Sequence, residues 1–555
     1  GADGTLHPAD ASFASMDELA QALPYHGYIL ASLDDRGLGQ SQPANGGGYA
    51  RIIDPAAETQ DAKALLDWLY DHADQYYVRR QGGSGIDKDI VVGTLGYSYG
   101  GGFQLPLSAL DPRVDAQVPV AAWHDLLYSL LPGQVLKQSW TQILCLFAVT
   151  PSSGSNIGAV NTPLMRTMCD TTAIRAPGAF QVRTLSDLVA RTAAPPPGQE
   201  PVSQDQLVSF FYRHGLGYFR TQQEQGAPWG FGESRARLRA VPTLLIQGNR
   251  DNLFNLTDAW LNQRTLQQAG GDARLLSMEG GHMNPFASQV EGTANCGGVE
   301  GVTSALAWFD HYLKGRNSAQ YQAIPSSLCL SVADTPNAPA VPAVGLELAA
   351  MPVGSLDGSG AVPARLDSLS ATVPAAGLAP VFVPVTTISG SGKVLAGVPT
   401  LGSIQVSPGP LAAHRVTAIV GVGIRRGGKT FLVDDQLTGF AEGQWSGNWG
   451  VDEGDPVLLP AVGEQLQDGD QVGLLFYEQH VQYSVIVSAD GLAGAPGVIS
   501  YLLGKPLPNP VASILDPVLN AVTDPNPYSV SASDVELPIL VPGEYPHSRL
   551  NRPAS

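Results

Sequence analysis

Lysine is scarce in this chain. It supplies seven of the 31 basic residues, against 50 acidic ones, and the net charge is −19. No run of basic residues occurs, so nucleic acid and anionic membranes are poor partners. No stretch approaches the roughly 20 uninterrupted apolar residues that a membrane-spanning helix needs. Cysteine is also rare. Cys145, Cys169, Cys296 and Cys329 are the four, and none has the C-x-x-C spacing of zinc or thioredoxin-like sites. An even count permits two disulfides. Proximity pairs Cys145 with Cys169 and Cys296 with Cys329, which points to a secreted or periplasmic protein. There is no phosphate loop, dinucleotide fingerprint or internal repeat, so the chemistry is expected to need no cofactor. The acidic turn Asp452-Glu453-Gly454-Asp455 has the composition of a calcium loop, but acidic turns are common in β-sandwiches and no metal is assigned to it.

What remains is a globular composition, 44% hydrophobic over 555 residues, enough for two or three domains. The most informative stretch is Asp89-Ile-Val-Val-Gly-Thr-Leu-Gly-Tyr-Ser-Tyr-Gly-Gly-Gly102. An apolar run ends in Gly96-Tyr97-Ser98-Tyr99-Gly100, and a helix-like pattern follows at once. Strand, G-x-S-x-G and helix in that order describe a nucleophile elbow. The flanking glycines remove Cβ atoms that would clash in so sharp a turn. Ser98 Oγ is lifted above the sheet, and the helix N-terminus is aimed at the reacting carbon.

Elsewhere, residues 15–23 carry a helix start signal, with Ser15 as cap. Residues 27–33 read as a buried strand leading into the turn Asp34-Asp35-Arg36-Gly37-Leu38-Gly39-Gln40-Ser41. Residues 58–72 form an amphipathic helix with Leu65, Leu66, Trp68 and Leu69 inward. Further strands are read at 114–122, 241–248 and 274–278, and a closing helix at 302–314. Alternating strands and helices imply a parallel sheet covered on both faces. Residues 126–238 lack buried strands and read as a helical cap inserted into a core made of 1–125 and 239–318. Residues 319–384, rich in Ala, Pro, Val and Gly, read as linker and irregular edge. Beyond them, short strands alternate with turns across 385–555 (415–424, 430–433, 471–476, 482–487, 530–537), the texture of an all-β jelly roll.

A serine hydroxyl is a weak nucleophile and needs a base that is itself oriented by a carboxylate. On an α/β-hydrolase core the partners follow in the order Ser, Asp or Glu, His, each just after a strand. Asn249-Arg250-Asp251 follows one strand, and Glu279-Gly280-Gly281-His282 follows the next. Ser98, Asp251 and His282 are therefore the expected nucleophile, acid and base. Asp258 is an alternative acid, placed inside a helix. Tyr97, Trp123 and His124, near the strand ends, are expected to line the substrate pocket.

The segments Asp35-Arg36-Gly37-Leu38-Gly39-Gln40-Ser41, Gly96-Tyr97-Ser98-Tyr99-Gly100-Gly101, Asp111-Pro112-Arg113, Trp123-His124-Asp125, Gly248-Asn249-Arg250-Asp251, Gly280-Gly281-His282 and 307–315 together resemble the CocE/NonD hydrolases. That group includes cocaine esterase, α-amino-acid ester hydrolases and X-prolyl dipeptidyl peptidases of the S15 clan. The resemblance covers residues 15–315, and the trailing β region matches in position and texture. It implies an α/β-hydrolase core, a helical cap, hydrolysis of an ester or amide in a small molecule or peptide, and Tyr99 N–H as one oxyanion donor. The family's second donor comes from a loop after the third strand of its core sheet. Its first three strands have no counterpart here, so they are expected either from a separate N-terminal chain left by processing or from sequence preceding Gly1, with Gly1 to Asp3 close to Ser98. Esterase chemistry is favoured over X-prolyl peptidase chemistry, since no acidic cluster to hold a free amine can be assigned. A non-catalytic scaffold on a hydrolase fold is the alternative of another class.

Overall fold

The computed structural model describes residues 16–41, 48–149, 184–192, 203–220, 238–282, 295–334, 344–357, 361–374, 379–410, 412, 415–448, 451, 454–483, 526–541, 543 and 548–551. The fold is a mixed α/β core with a parallel sheet, followed by antiparallel sheets. In the core, β1 (Val92–Tyr97), β2 (Val114–Val120), β3 (Thr243–Gly248), β4 (Ala273–Met278) and β5 (Leu328–Val332) lie side by side and parallel. Two antiparallel strands complete the sheet, β6 (Val344–Leu348) and β7 (Ser548–Asn551). The central strand β3 is buried along its whole length. Its unbroken run Thr-Leu-Leu-Ile-Gln-Gly has the lack of alternation expected of a strand covered on both faces.

Helices α1 (Met16–Ala22), α2 (Glu58–Asp71), α3 (Tyr99–Leu110), α4 (Leu256–Gln268) and α5 (Gly301–Lys314) pack around this sheet. Trp308, Phe309 and Leu313 of α5 share a core with Val118, Val120 and Ile246. The inward face of α2 is Glu58, Thr59, Ala62 and Leu66. Trp68, expected inside, is 43% exposed and stacks on His72 one turn later.

Three expectations are corrected. Residues 27–33 do not pair as a strand, and Ile29, Leu30 and Leu33 are exposed. This extended segment is tethered to α5, where Tyr28 donates to Asp310 Oδ1 (2.7 Å) and Lys314 Nζ donates to the His26 carbonyl. Residues 319–384 are not a linker. They supply β5 and β6 to the core sheet and the strands Arg365–Val373 and Val381–Thr387 to the β region. Short strands broken by Pro and Gly hid that role. Of the strand expected at 482–487, residues 482 and 483 belong to a 3-10 turn (Val481–Tyr483), and 484–487 lie outside the described residues.

Between β2 and β3 the regular structure of the described residues is helical apart from one isolated bridge, Val135 to Thr184, with helices Leu126–Leu130, Gln138–Val149, Leu185–Thr192, Gln204–Tyr212 and Leu216–Arg220 joined by loops. Past β6 the chain is β-rich. One sheet pairs Tyr528–Glu536 with Arg365–Val373 and Ser403–Pro408, and a second pairs Thr417–Arg426 with Gln471–Tyr477. Ile404, Val406 and Val530 of the first meet Val420, Val422 and Phe476 of the second in one apolar core. Cys296 and Cys329 are disulfide-bonded, fastening the hairpin at 295–300 to β5. The pairing of Cys145 with Cys169 lies outside the described residues, as do Gly1 to Asp3.

Candidate active site

The elbow joins β1 to α3. Ser98 has φ 54° and ψ −111°, a backbone conformation L-residues rarely hold. Ser98 N–H donates to Val120 O (2.9 Å), pinning the turn to the neighbouring strand. A Cβ on Gly96 would fall 2.4 Å from Gly100 O, and one on Gly101 would fall 2.4 Å from Val120 O. Gly100 has open space at that point. The turn therefore needs glycine at 96 and 101; position 100, the last residue of G-x-S-x-G, does not require it. Tyr99 opens α3, so its N–H has no intrahelical acceptor.

Asp251 and His282 leave the ends of β3 and β4. The two turns are built as one unit. Asn249 N–H donates to Met278 O (2.6 Å) and Arg250 N–H to Gly280 O (3.1 Å). A Cβ on Gly248 would meet Gly280 O at 2.1 Å, so glycine permits this approach. Ser98 Oγ lies 2.8 Å from His282 Nε2, and His282 Nδ1 lies 2.8 Å from Asp251 Oδ2. Asp251 Oδ2 also accepts from Gln247 Nε2 (2.8 Å), while Oδ1 accepts from Leu253 N (3.0 Å) and Phe254 N (2.9 Å). Four donors hold the carboxylate in one rotamer, and both Asp251 and His282 are buried. Such an arrangement can fix the imidazole tautomer and pass a proton to and from the serine.

The structure also separates roles. Asp258 sits in α4 and caps it, with Oδ2 accepting from Asn255 N–H (3.1 Å) and Oδ1 from His124 N–H and Ser129 Oγ. Burial raises its pKa, and it makes no contact with His282 among the described bonds. His124, expected at the pocket, turns Nδ1 to Asn262 Oδ1 (2.9 Å) and is buried beside the cap. Tyr97 points at the base turn: its hydroxyl donates to the His282 carbonyl, and its ring lies against the imidazole. The Tyr99 hydroxyl accepts from Ile53 N–H (3.1 Å), and burial drives its pKa well up, so the phenol stays neutral. Trp123 lies in the apolar wall, 5.0 Å from the Phe254 ring and 6.5 Å from that of Tyr99.

Several residues of the site escaped the sequence reading. Phe254 and Trp140 present their edges and faces to the His282 ring at 5.2 and 5.5 Å. Trp140 Nε1 donates to Asn252 Oδ1 (2.8 Å), and Lys137 Nζ donates to Asn252 O (3.0 Å) and Leu253 O (3.1 Å). Lys137 is fully buried, which lowers its pKa. Its signal was charge: it is one of seven lysines, and the single charged residue in the stretch 126–149. Among the described residues no group of three or more His, Cys, Asp or Glu could hold a metal ion; of the acidic turn, Asp455 pairs with Arg264 (2.7 Å), and Asp452 and Glu453 lie outside the described residues.

Residues 7–284, half of the chain, match the family model of X-Pro dipeptidyl-peptidase (S15 family). The chain belongs to this family. It is a serine hydrolase by that membership. Among solved structures the S15 chain is similar to a CocE/NonD family hydrolase from Staphylococcus aureus, at 13% identity and TM-score 0.47 over 89% of this chain and 78% of that one. It is also similar to an aminopeptidase from a marine sediment archaeon, Thaumarchaeota archaeon, at 13% identity and TM-score 0.45 over 89% of this chain and 83% of the other. No curated protein sequence matches it. No helix among the described residues is long and apolar enough to cross a membrane.

Proposed function

We propose that this S15-family hydrolase cleaves a carboxylic ester through an acyl-enzyme on Ser98. The observation that carries the reading is the relay of two 2.8 Å contacts from Ser98 Oγ through His282 to Asp251. Ser98 Oγ attacks the carbonyl carbon while His282 Nε2 takes its proton. Tyr99 N–H donates to the oxyanion. Collapse of the tetrahedral intermediate breaks the bond to the leaving group, which receives the proton from His282. Water then repeats the sequence on the acyl-enzyme, releasing the acid and restoring Ser98. Asp251 holds the tautomer and stabilises the imidazolium without itself being protonated. The second reading, X-prolyl peptidase, is favoured by the family match over residues 7–284. A panel of p-nitrophenyl esters beside Xaa-Pro and aminoacyl anilides separates the two. Ester turnover with inert anilides supports the first reading; an Xaa-Pro preference replaces it with the second.

The outer edge of β1, beside which none of the described strands lies, belongs to the same proposal. All six residues of β1 are half-exposed, whereas β2 and β3 are almost wholly buried. A strand beside β1 would satisfy its outer N–H and C=O groups, each worth about 1–3 kcal/mol when buried, and would cover the exposed segment at 28–33. A separate N-terminal fragment is the proposed donor, and it brings the second oxyanion donor. Native mass spectrometry of protein purified from its source tests this; a single covalent chain with full activity contradicts it. The Cys296–Cys329 disulfide supports a secreted or periplasmic location.

A further inference from the structure

The C-terminal β region does more than follow the hydrolase core. Its turn Asp434-Asp435-Gln436 reaches the back of the acid turn. Gln436 is 2% exposed, and its Nε2 donates to Asn249 O (2.6 Å) and to Asp251 O (3.0 Å). One carboxamide thus uses both its hydrogens on two carbonyls that bracket residue 250. Arg250 makes the reciprocal reach. It is buried, with one guanidinium nitrogen 2.9 Å from Asp435 Oδ2 and the other 3.8 Å from Asp434 Oδ1.

The reaching turn is held in an unusual shape. Asp434 and Asp435 are consecutive non-glycine residues with φ 53° and 57°. Each left-handed residue costs about 1–3 kcal/mol and persists where its surroundings over-determine it. Two donors supply those surroundings: Gly463 N–H donates to Asp434 Oδ2 (2.8 Å), and Gln482 Nε2 donates to Asp435 O (2.7 Å). The segment carrying Gln482 also touches the cap, where Ser139 Oγ donates to Val481 O and Val481 packs in the cluster of Trp140 and Phe254.

We infer that Gln436 is a positioning residue for Asp251, and that the β region sets the geometry of the acid by gripping its peptide from outside. This rests on the Ser98–His282–Asp251 reading above. The Asp251 carbonyl and side chain share one Cα. Releasing the carbonyl lets the peptide rotate and carries the carboxylate away from His282 Nδ1. A displacement of about 1 Å in such a constellation costs on the order of 10²-fold in rate.

The test uses the full chain carrying Gln436→Met or Gln436→Leu, both of which lose the two donated bonds without adding a charge. Gln465→Ala is the docking control. Its Nε2 crosses the same boundary to Val332 O (3.3 Å) without touching the acid turn. With a p-nitrophenyl ester, kcat of both Gln436 variants should fall about 10- to 100-fold with KM little changed. The acid limb of kcat/KM should move to lower pH by about half a unit, because a displaced carboxylate stabilises the imidazolium less. Gln465→Ala should keep the wild-type pH profile. Gln436 variants with kcat within threefold of wild type, or with an unshifted profile, overturn the inference. Failure of the underlying reading looks different: Ser98→Ala would then hydrolyse the ester as fast as wild type.

Discussion

Replacing Asp251 by Asn changes one atom type and is the sharpest perturbation of the relay. Its oxygen must stay towards Leu253 N–H and Phe254 N–H, which donate at 3.0 and 2.9 Å. The new NH₂ then faces Gln247 Nε2 and His282 Nδ1, both now at 2.8 Å from Asp251 Oδ2. Gln247 keeps a bond to Phe254 O (2.8 Å), so the donor clash there removes one of its two bonds. That costs about 1–3 kcal/mol of stability. The imidazole has no such reserve. Its Nδ1 must become an acceptor, which puts the ring proton on Nε2, facing Ser98 Oγ, where it cannot take the serine proton. The expected loss in kcat is about 10⁴-fold, or about 5.5 kcal/mol of barrier. The assay is steady-state turnover of a p-nitrophenyl ester, with thermal melting to confirm folding. A folded Asp251→Asn enzyme within tenfold of wild type refutes the relay.

Gly96→Ala should abolish fluorophosphonate labelling of a folded protein, because its Cβ would sit 2.4 Å from Gly100 O; Gly100→Ala, whose Cβ meets nothing within 4 Å, should label normally. Glu464 is buried with its pKa pushed up to about 10, chiefly by desolvation and then by Asp434. A carboxyl raised in the fold imposes no penalty below its unfolded pKa near 4 and an increasing one as pH rises towards the folded value. Glu464→Gln should therefore raise Tm more at pH 8 than at pH 5, and an equal gain at both contradicts the assignment. Breaking the Cys296–Cys329 bridge by Cys329→Ser opens a loop of 33 residues, with an expected loss of about 3–4 kcal/mol by chain entropy. Chemical denaturation measures it, and an unchanged midpoint counts against the bridge as a stabilising element.

The relay was legible because each of its parts carries a local signature. Ser98 sits between an apolar run and a helical pattern, and Asp251 and His282 follow consecutive apolar strands, so one topology places all three. What packs across long sequence distances left no such mark. Gln436 is an ordinary glutamine in a polar turn, and only the docking of the β region brings it to the Asp251 carbonyl, 185 residues away. Tyr97 was read as pocket-lining because strand alternation does not say which loop a side chain meets. Residues 28–33 are apolar enough for a strand, but pairing needs a neighbour, and none of the described strands lies beside them. Strands β5 and β6 hid in a stretch whose Ala, Pro and Gly content reads as linker, since strands of five residues carry little pattern.

The central claim is that Ser98 is the nucleophile. Incubation of the intact protein with a fluorophosphonate, followed by peptide mapping, tests it directly. The account predicts a single adduct on the peptide containing Gly96-Tyr97-Ser98-Tyr99-Gly100, lost in Ser98→Ala and slowed by orders of magnitude in His282→Ala. An adduct on another serine, or none on a folded protein that still hydrolyses esters, contradicts it.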